Sequence, residues 1–194
     1  MPPRTARART EAIMSLDSGR PAPGQPQRSS ASNSKEIDVG IGEIKISRNP
    51  AAVLVAYGVG SCISVCMYDP FVQIAGMAHV LLPKSEGNER GKNSAIYADV
   101  AVPELLRKMK DKGAVKRRMK VKLAGGSRVV KSLSHPNGDI GKRNADEVNR
   151  ILDEINAEIE FMDIGGNHGR TIRFFVGTGE MIISSTRHPK KKSG

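Results

Sequence analysis

Tryptophan is missing from this chain of 194 residues, and the other aromatics amount to three tyrosines and four phenylalanines. So few rings leave little for a surface that stacks nucleobases, and no nucleic-acid-binding module is recognisable. Also missing is any apolar run long enough to cross a bilayer, so membrane insertion is not expected. The opening residues, MPPRTARAR, lack the apolar stretch of a secretory signal. A transit peptide would also be rich in Arg and Ser, but the cytoplasm is the expected compartment. Cysteine is confined to Cys62 and Cys66, which without a secretory signal argues against a disulfide framework.

Positive charge, by contrast, is in excess, with a formal net charge of +11. It is unevenly spread. Residues 1–35 hold six basic and two acidic side chains, residues 186–194 hold four basic and none acidic, and residues 36–185 hold 21 against 18. Most of the excess therefore lies on the tails, where it adds solubility and loose attraction without shaping a site. The exception is RKMKDKGAVKRRMKVK, residues 107–122, with nine basic residues against Asp111 alone. This stretch reads either as a solvated helix face and turn or as a docking patch for an acidic protein surface.

Three segments follow from the pattern. Residues 1–36 are rich in Pro, Ser, Gly, Arg and Gln, and cannot bury enough apolar area to offset the entropy of ordering, so disorder is expected there. Residues 37–185 form the folded domain, and 186–194 read as a basic disordered tail. Within the domain, IGEIKISRNP, VLVAYGV, CISVCMYDP and IAGMAHVLLP read as successive strands. KSEGNERGKNS is a polar loop, long enough for a functional role. DVAVPELLRKMKDKG reads as a helix with Asp99 as its cap and Gly113 at its end. RNADEVNRILDEINAEI reads as a second helix, with Val148, Ile151, Leu152, Ile155 and Ile159 on one apolar stripe. MKVKLAGGS, IEFMDIGG and TIRFFVGTGEMII supply further strands. Seven or eight strands with two helices point to an α+β layered domain.

The chemistry-bearing candidates are few. In YGVGSC, two glycines and a serine precede Cys62 at a strand junction, leaving backbone N–H groups open to an oxyanion. Cys66, inside the run ISVCMY, reads as a small core residue. A thiol needs a base or a positive field to act as a nucleophile. Of the four histidines, His188 is in the basic tail, His135 is in a polar loop and His168 is in the turn GGNHGR. His79 stands in an otherwise apolar strand, AGMAHVLLP, either as a satisfied core residue or as the partner of Cys62. Zinc binding by Cys62, Cys66, His79 and a second histidine lacks the usual ligand spacing. A phosphate cradle at GVGSC lacks the following helix start. No cofactor or metal is expected.

GVGSCISVCMYDP, AGMAHVLLP, YADVAVPELLRKM, LAGGS, IGKRN and GGNHGR occur in that order, and the series resembles the chemoreceptor glutamine deamidase family, CheD. The resemblance runs from about Ile37 to Ile183. It implies a cytoplasmic cysteine hydrolase that converts glutamine side chains of methyl-accepting chemotaxis receptors to glutamate, releasing ammonia. It also implies a layered α/β/β sandwich similar to deamidating toxin-type cysteine hydrolases, and a CheC-type phosphatase as a possible partner. Carried over by position, the nucleophile falls on Cys62 and the histidine on His79. The family's threonine six residues before the cysteine is replaced by Ala56, so a backbone carbonyl of Ala56 or a neighbour is the expected orienting group. Backbone N–H groups around Gly60, Ser61 and Cys62 are the expected oxyanion donors, and a thiolate–imidazolium pair at neutral pH the expected resting state. The glycine turns at 125–126 and 165–166, with Asn167 and His168, are candidate walls of the cleft. Competing readings are a non-catalytic adaptor, a receptor methylesterase and, for the basic stretch and tails, nucleic-acid binding.

Overall fold

A computed structural model describes residues 35–85, 94–128, 139–185 and 191–193. His135, His188, most of the KSEGNERGKNS loop and residues 1–34 lie outside the described residues. Two helices and ten strands appear among those described: β1 (Lys35–Asp38), β2 (Ile44–Ser47), β3 (Ala52–Val59), β4 (Ile63–Asp69), β5 (Ile74–Val80), α1 (Ala98–Asp111), β6 (Lys120–Gly125), α2 (Ile140–Glu154), β7 (Glu158–Ile164), β8 (Arg170–Phe175), β9 (Met181–Ser184) and β10 (Lys191–Ser193). They form two mixed five-stranded sheets, ordered β1-β3-β8-β9-β10 and β2-β5-β4-β6-β7.

The layering follows from side-chain alternation along the strands. From β4 and β5, Ile63, Val65, Met67, Ala78 and Val80 face α1 and α2, joining Leu105, Met109, Val148 and Leu152 in one core. Cys62, Cys66, Tyr68, Ala75 and Met77 face the other way, against Leu54, Ala56, Ile172 and Phe174 of the first sheet. The order is therefore helices, sheet, sheet, the α+β layered sandwich expected. Both faces of β4 and β5 are covered, which is why ISVCMYD and IAGMAHV are buried at every position.

Five local expectations are corrected. Asp99 does not cap α1: the residue before that helix is Tyr97, while the Asp99 carboxylate accepts from the Ser85 N–H and hydroxyl at 3.0 Å. Helix α2 starts three residues before the RNADEV pattern because Asp139 caps it, accepting from the Gly141 N–H at 2.9 Å. Ile159 belongs to β7 rather than to the helical stripe, since the helix stops at Ile155 and Asn156 takes a φ of 47°. In the basic tail, Lys191–Ser193 pair antiparallel with β9, and Lys191 and Lys192 reach Asp163 and Glu180 at 3.1 and 3.0 Å. At the other end, β1 includes Lys35 and Glu36, two residues before the expected start of order.

The basic stretch 107–122 spans the end of α1, a short 3-10 turn and β6. Much of its charge is used internally. Arg107 pairs with Glu104 and Asp111, Lys120 with Glu158, and Lys122, almost wholly buried, with Glu160.

Arg118 pairs with Asp69 at 2.8 Å, where Asp69 also accepts from the N–H groups of Phe71 and Val115. Burial opposes ionisation of Asp69, but the Arg118 guanidinium and these two N–H groups outweigh it and hold the carboxyl below its ordinary value. Its contribution to stability is therefore present above the unfolded pKa and lost as pH falls through the lower folded value. Asp69→Ala should cost about 2 kcal/mol in urea denaturation near neutral pH, and less as the pH is lowered, because it strands a partly buried cation and two N–H groups.

Candidate active site

Cys62 lies just before the first residue of β4, in the turn that joins β3 to β4. Ser64 is directly opposite His79 on the neighbouring β5. Cys62 is two residues before Ser64 and shares its face, so it is a diagonal neighbour of His79 across the β4–β5 pair. The sheet thus brings together the two candidates that are seventeen positions apart in sequence. Both are sequestered, Cys62 at 7% and His79 at 2% exposure. Cys66 is wholly buried between the sheets, where burial pushes its thiol pKa far up, the packing role expected of it.

The imidazole is oriented from one side. Its Nδ1 lies 3.1 Å from the carbonyl oxygen of Val39, and since a carbonyl can only accept, Nδ1 carries the proton. Nε2 is thereby left with its lone pair, and it is buried with no hydrogen-bond partner among the described residues. The backbone of His79 is held too, its N–H donating to Glu43 and its carbonyl accepting from Gly42. The orienting carbonyl is therefore Val39's, not Ala56's. Val39 donates its own N–H to Val55, so it lies beside Ala56 across the β1–β3 pair. The role falls close to the expected place but comes from the residue that follows the neighbouring strand β1.

Burial acts on both side chains in the same sense, toward neutrality. It raises the Cys62 thiol, against a smaller opposite effect of the Cys62 N–H, and it lowers the His79 imidazole, only partly offset by Val39. Both directions favour a thiol beside a neutral imidazole over the thiolate–imidazolium pair that the sequence suggested.

The turn before the cysteine is pinned from outside. Three successive carbonyls each accept a hydrogen bond: Gly60 from the Ser127 N–H at 2.8 Å, Ser61 from the Asn144 side-chain amide at 2.9 Å, and Cys62 from the Gly126 N–H at 2.8 Å. Gly125 permits this approach. Its φ is +129°, and a Cβ there would lie inside contact distance of the Cys62 carbonyl. Gly165, in the second glycine turn, donates to Gly125, and Gly166 accepts from Arg128, so the two glycine turns expected as walls do meet beside the Cys62 turn. Arg170, buried and paired with Asp163, fixes the second of these turns by donating to the Gly165 carbonyl at 2.7 Å.

Asn144 is not among the candidates that the sequence offers. The structure puts it at the centre, since it also donates to the Leu81 carbonyl at 2.8 Å. The signal that could have found it is a polar residue on the side of α2 that carries Val148, Ile151 and Leu152, where a buried amide must have partners. Arg143, its neighbour, instead lines an open cleft of about 830 Å³ with Leu82, Pro83, Tyr97, Glu147 and Arg150. Neither Cys62 nor His79 lines that cleft. Among the described residues no three His, Cys, Asp or Glu side chains gather closely enough to hold a metal ion, and no helix is long and apolar enough to cross a membrane.

Residues 81–185 match the family model described as CheD chemotactic sensory transduction. That segment begins two residues after His79. Relatives reach further: a protein of Symbiobacterium thermophilum is 40% identical over 149 residues, covering 76% of this chain and 90% of its own length. One from Archaeoglobus fulgidus is 40% identical over 152 residues, covering 78% and 94%. One from Desulfitobacterium hafniense is 38% identical over 159 residues, covering 81% and 98%. The chain belongs to the CheD family. All three relatives carry the name probable chemoreceptor glutamine deamidase CheD. Against the family pattern read from the sequence, Ala56 is the departure, and here its methyl group is buried between the sheets while Val39 meets the imidazole.

Two measurements test this geometry. A long-range 15N–1H NMR spectrum of the His79 ring should show the Nδ1–H tautomer, titrating with a midpoint below the ordinary histidine value. Because the folded value is lowered, the neutral ring's contribution to stability is present above the unfolded pKa of about 6.5 and lost as pH falls through the folded one. Gly125→Ala should lower stability by about 2 kcal/mol or more in thermal melts, because it strains the backbone and drives the Cys62 turn outward.

Proposed function

We propose that this chain is a chemoreceptor glutamine deamidase working through Cys62 and His79. The observation that carries the reading is the juxtaposition of a sequestered thiol with an imidazole whose Nδ1 is committed to Val39 and whose Nε2 is free. The deamidase names of the relatives supply the substrate class, the side-chain carboxamide of a receptor glutamine.

With both groups neutral at rest, Nε2 takes the thiol proton as the sulfur attacks the carboxamide carbon. The C–S bond forms and the carbonyl π electrons move to oxygen. N–H groups of the Gly60–Cys62 turn stabilise that oxyanion. On collapse, the imidazolium gives its proton to the departing nitrogen, ammonia leaves, and a thioester remains on Cys62. Nε2 then deprotonates a water molecule that attacks the thioester, and glutamate is released as the thiol is restored. Val39 stabilises the transient imidazolium throughout by accepting from Nδ1. No cofactor enters these steps. The receptors' cytoplasmic helices are the proposed partners and the cytoplasm the proposed compartment, with a CheC-type phosphatase as a further partner.

The test is ammonia release from a purified receptor cytoplasmic fragment, with mass spectrometry of its glutamine peptides. Wild-type protein should convert particular glutamines to glutamate. Cys62→Ala should abolish conversion while keeping the fold, Cys66→Ala should retain it, and His79→Ala should slow it by about 10²–10⁴-fold. Methanol release from a methylated fragment in place of ammonia would favour the methylesterase. Binding without either product would favour the adaptor, and undiminished turnover by Cys62→Ala would remove the thiol from the mechanism.

A further inference from the structure

Of the three carbonyls that fix the Cys62 turn, the outer two are held by backbone N–H groups, which no replacement short of proline removes. The middle one, Ser61, is held by a side chain, Asn144, which is fully buried. A trans peptide is planar, with its C=O and N–H pointing in opposite directions. Holding the Ser61 oxygen toward α2 therefore turns the N–H of the same peptide, that of Cys62, away from α2. That N–H is the group that partly opposes the effect of burial on the thiol.

The other amide hydrogen of Asn144 goes to Leu81, two residues after His79 on the same chain segment. One NH₂ group thus spans the turn that carries the thiol and the end of the strand that carries the base. The helix is close enough to do this because its first turn meets the Gly125–Gly126 turn at Gly141, where a Cβ would lie 2.6 Å from the Gly126 carbonyl oxygen. The Asn144 amide oxygen is buried and has no partner among the described residues. Packing alone does not account for a buried amide that leaves its oxygen bare, since an apolar side chain there would avoid that cost.

We infer that Asn144 is a positioning residue: it fixes the plane of the Ser61–Cys62 peptide, aims the Cys62 N–H at the sulfur and the developing oxyanion, and sets the spacing between Cys62 and His79. The assignment rests on the Cys62–His79 reading above. Asn144 does not touch the substrate, so its loss should act on the chemical step rather than on binding.

The experiment uses the full chain. Alkylation of Cys62 by iodoacetamide is followed against pH by peptide mass spectrometry, which separates it from Cys66, and kcat and KM are measured on the receptor fragment. For Asn144→Ala, the alkylation profile should move to higher pH, kcat should fall about tenfold to a hundredfold, and KM should stay within about twofold. Asn144→Asp keeps the shape but sets acceptors against both carbonyls, and should fall at least as far. If Asn144→Ala does not accumulate as folded protein, Asn144→Ser provides the same comparison. A lowered melting temperature with a wild-type alkylation profile and a wild-type kcat would overturn the assignment and leave Asn144 a structural tie. The alkylation arm needs no receptor, so it decides the role of Asn144 even if receptor deamidation by the wild-type chain is not observed.

Discussion

The Cys62 turn has to sit where two sheets and a helix meet, and it is held there by hydrogen bonds to three consecutive carbonyls. Much else near it follows from that requirement. Backbone N–H groups can reach those oxygens only if the 125–127 segment approaches to backbone contact, which rules out side chains at Gly125 and keeps Gly141 bare where the helix crosses. The second glycine turn, locked by Arg170, backs the first. In the proposed mechanism, a turn tied in this way would lose little entropy on meeting the transition state.

The same burial that builds the turn sets the resting electrostatics. A thiol raised and an imidazole lowered both favour an uncharged pair, as in the proposed mechanism. Such a pair is protected against adventitious alkylation and oxidation, since the thiolate is the reactive form. It also makes proton transfer part of the attack rather than a prior equilibrium. The Val39 carbonyl suits that design: it fixes the tautomer and stabilises the imidazolium when it forms, yet carries no charge that would hold the ring protonated at rest. A threonine hydroxyl at position 56 is not needed for that contact, and Ala56 instead packs in the layer between the sheets.

The layers place these groups. Strands β4 and β5 are covered on one face by α1 and α2 and on the other by the first sheet, so Cys62 and His79 open into the inter-sheet layer while Ile63 and Val80 face the helices. At the far end of the same two strands, Asp69 ties their connecting turn to Arg118 and to Val115. One strand pair thus carries the site at one end and a buried ionic tie at the other, and that tie takes up charge from the one dense basic stretch outside the tails.

Local pattern was enough for the two helices, the long strands and the burial of Cys66, and it made Cys62 and His79 candidates, which the family resemblance then set above the alternatives. Each of these shows in residue alternation, in a Gly-Ser turn before a thiol or in a histidine on an apolar strand. Short edge strands such as β10 were not legible, because three residues of a lysine-rich tail have no periodicity of their own and become a strand only when β9 offers a ladder and Asp163 and Glu180 offer countercharges. Val39 and Asn144 were illegible for a related reason. A main-chain carbonyl has no residue identity to read, and an asparagine on a helix declares a role only when the carbonyls of Ser61 and Leu81 lie within reach of it. Residue types thus determined which atoms could react, whereas the orientation of His79, the neutrality of the pair and the plane of the Cys62 peptide depend on contacts across 40 and more positions, which exist only once the layers have packed.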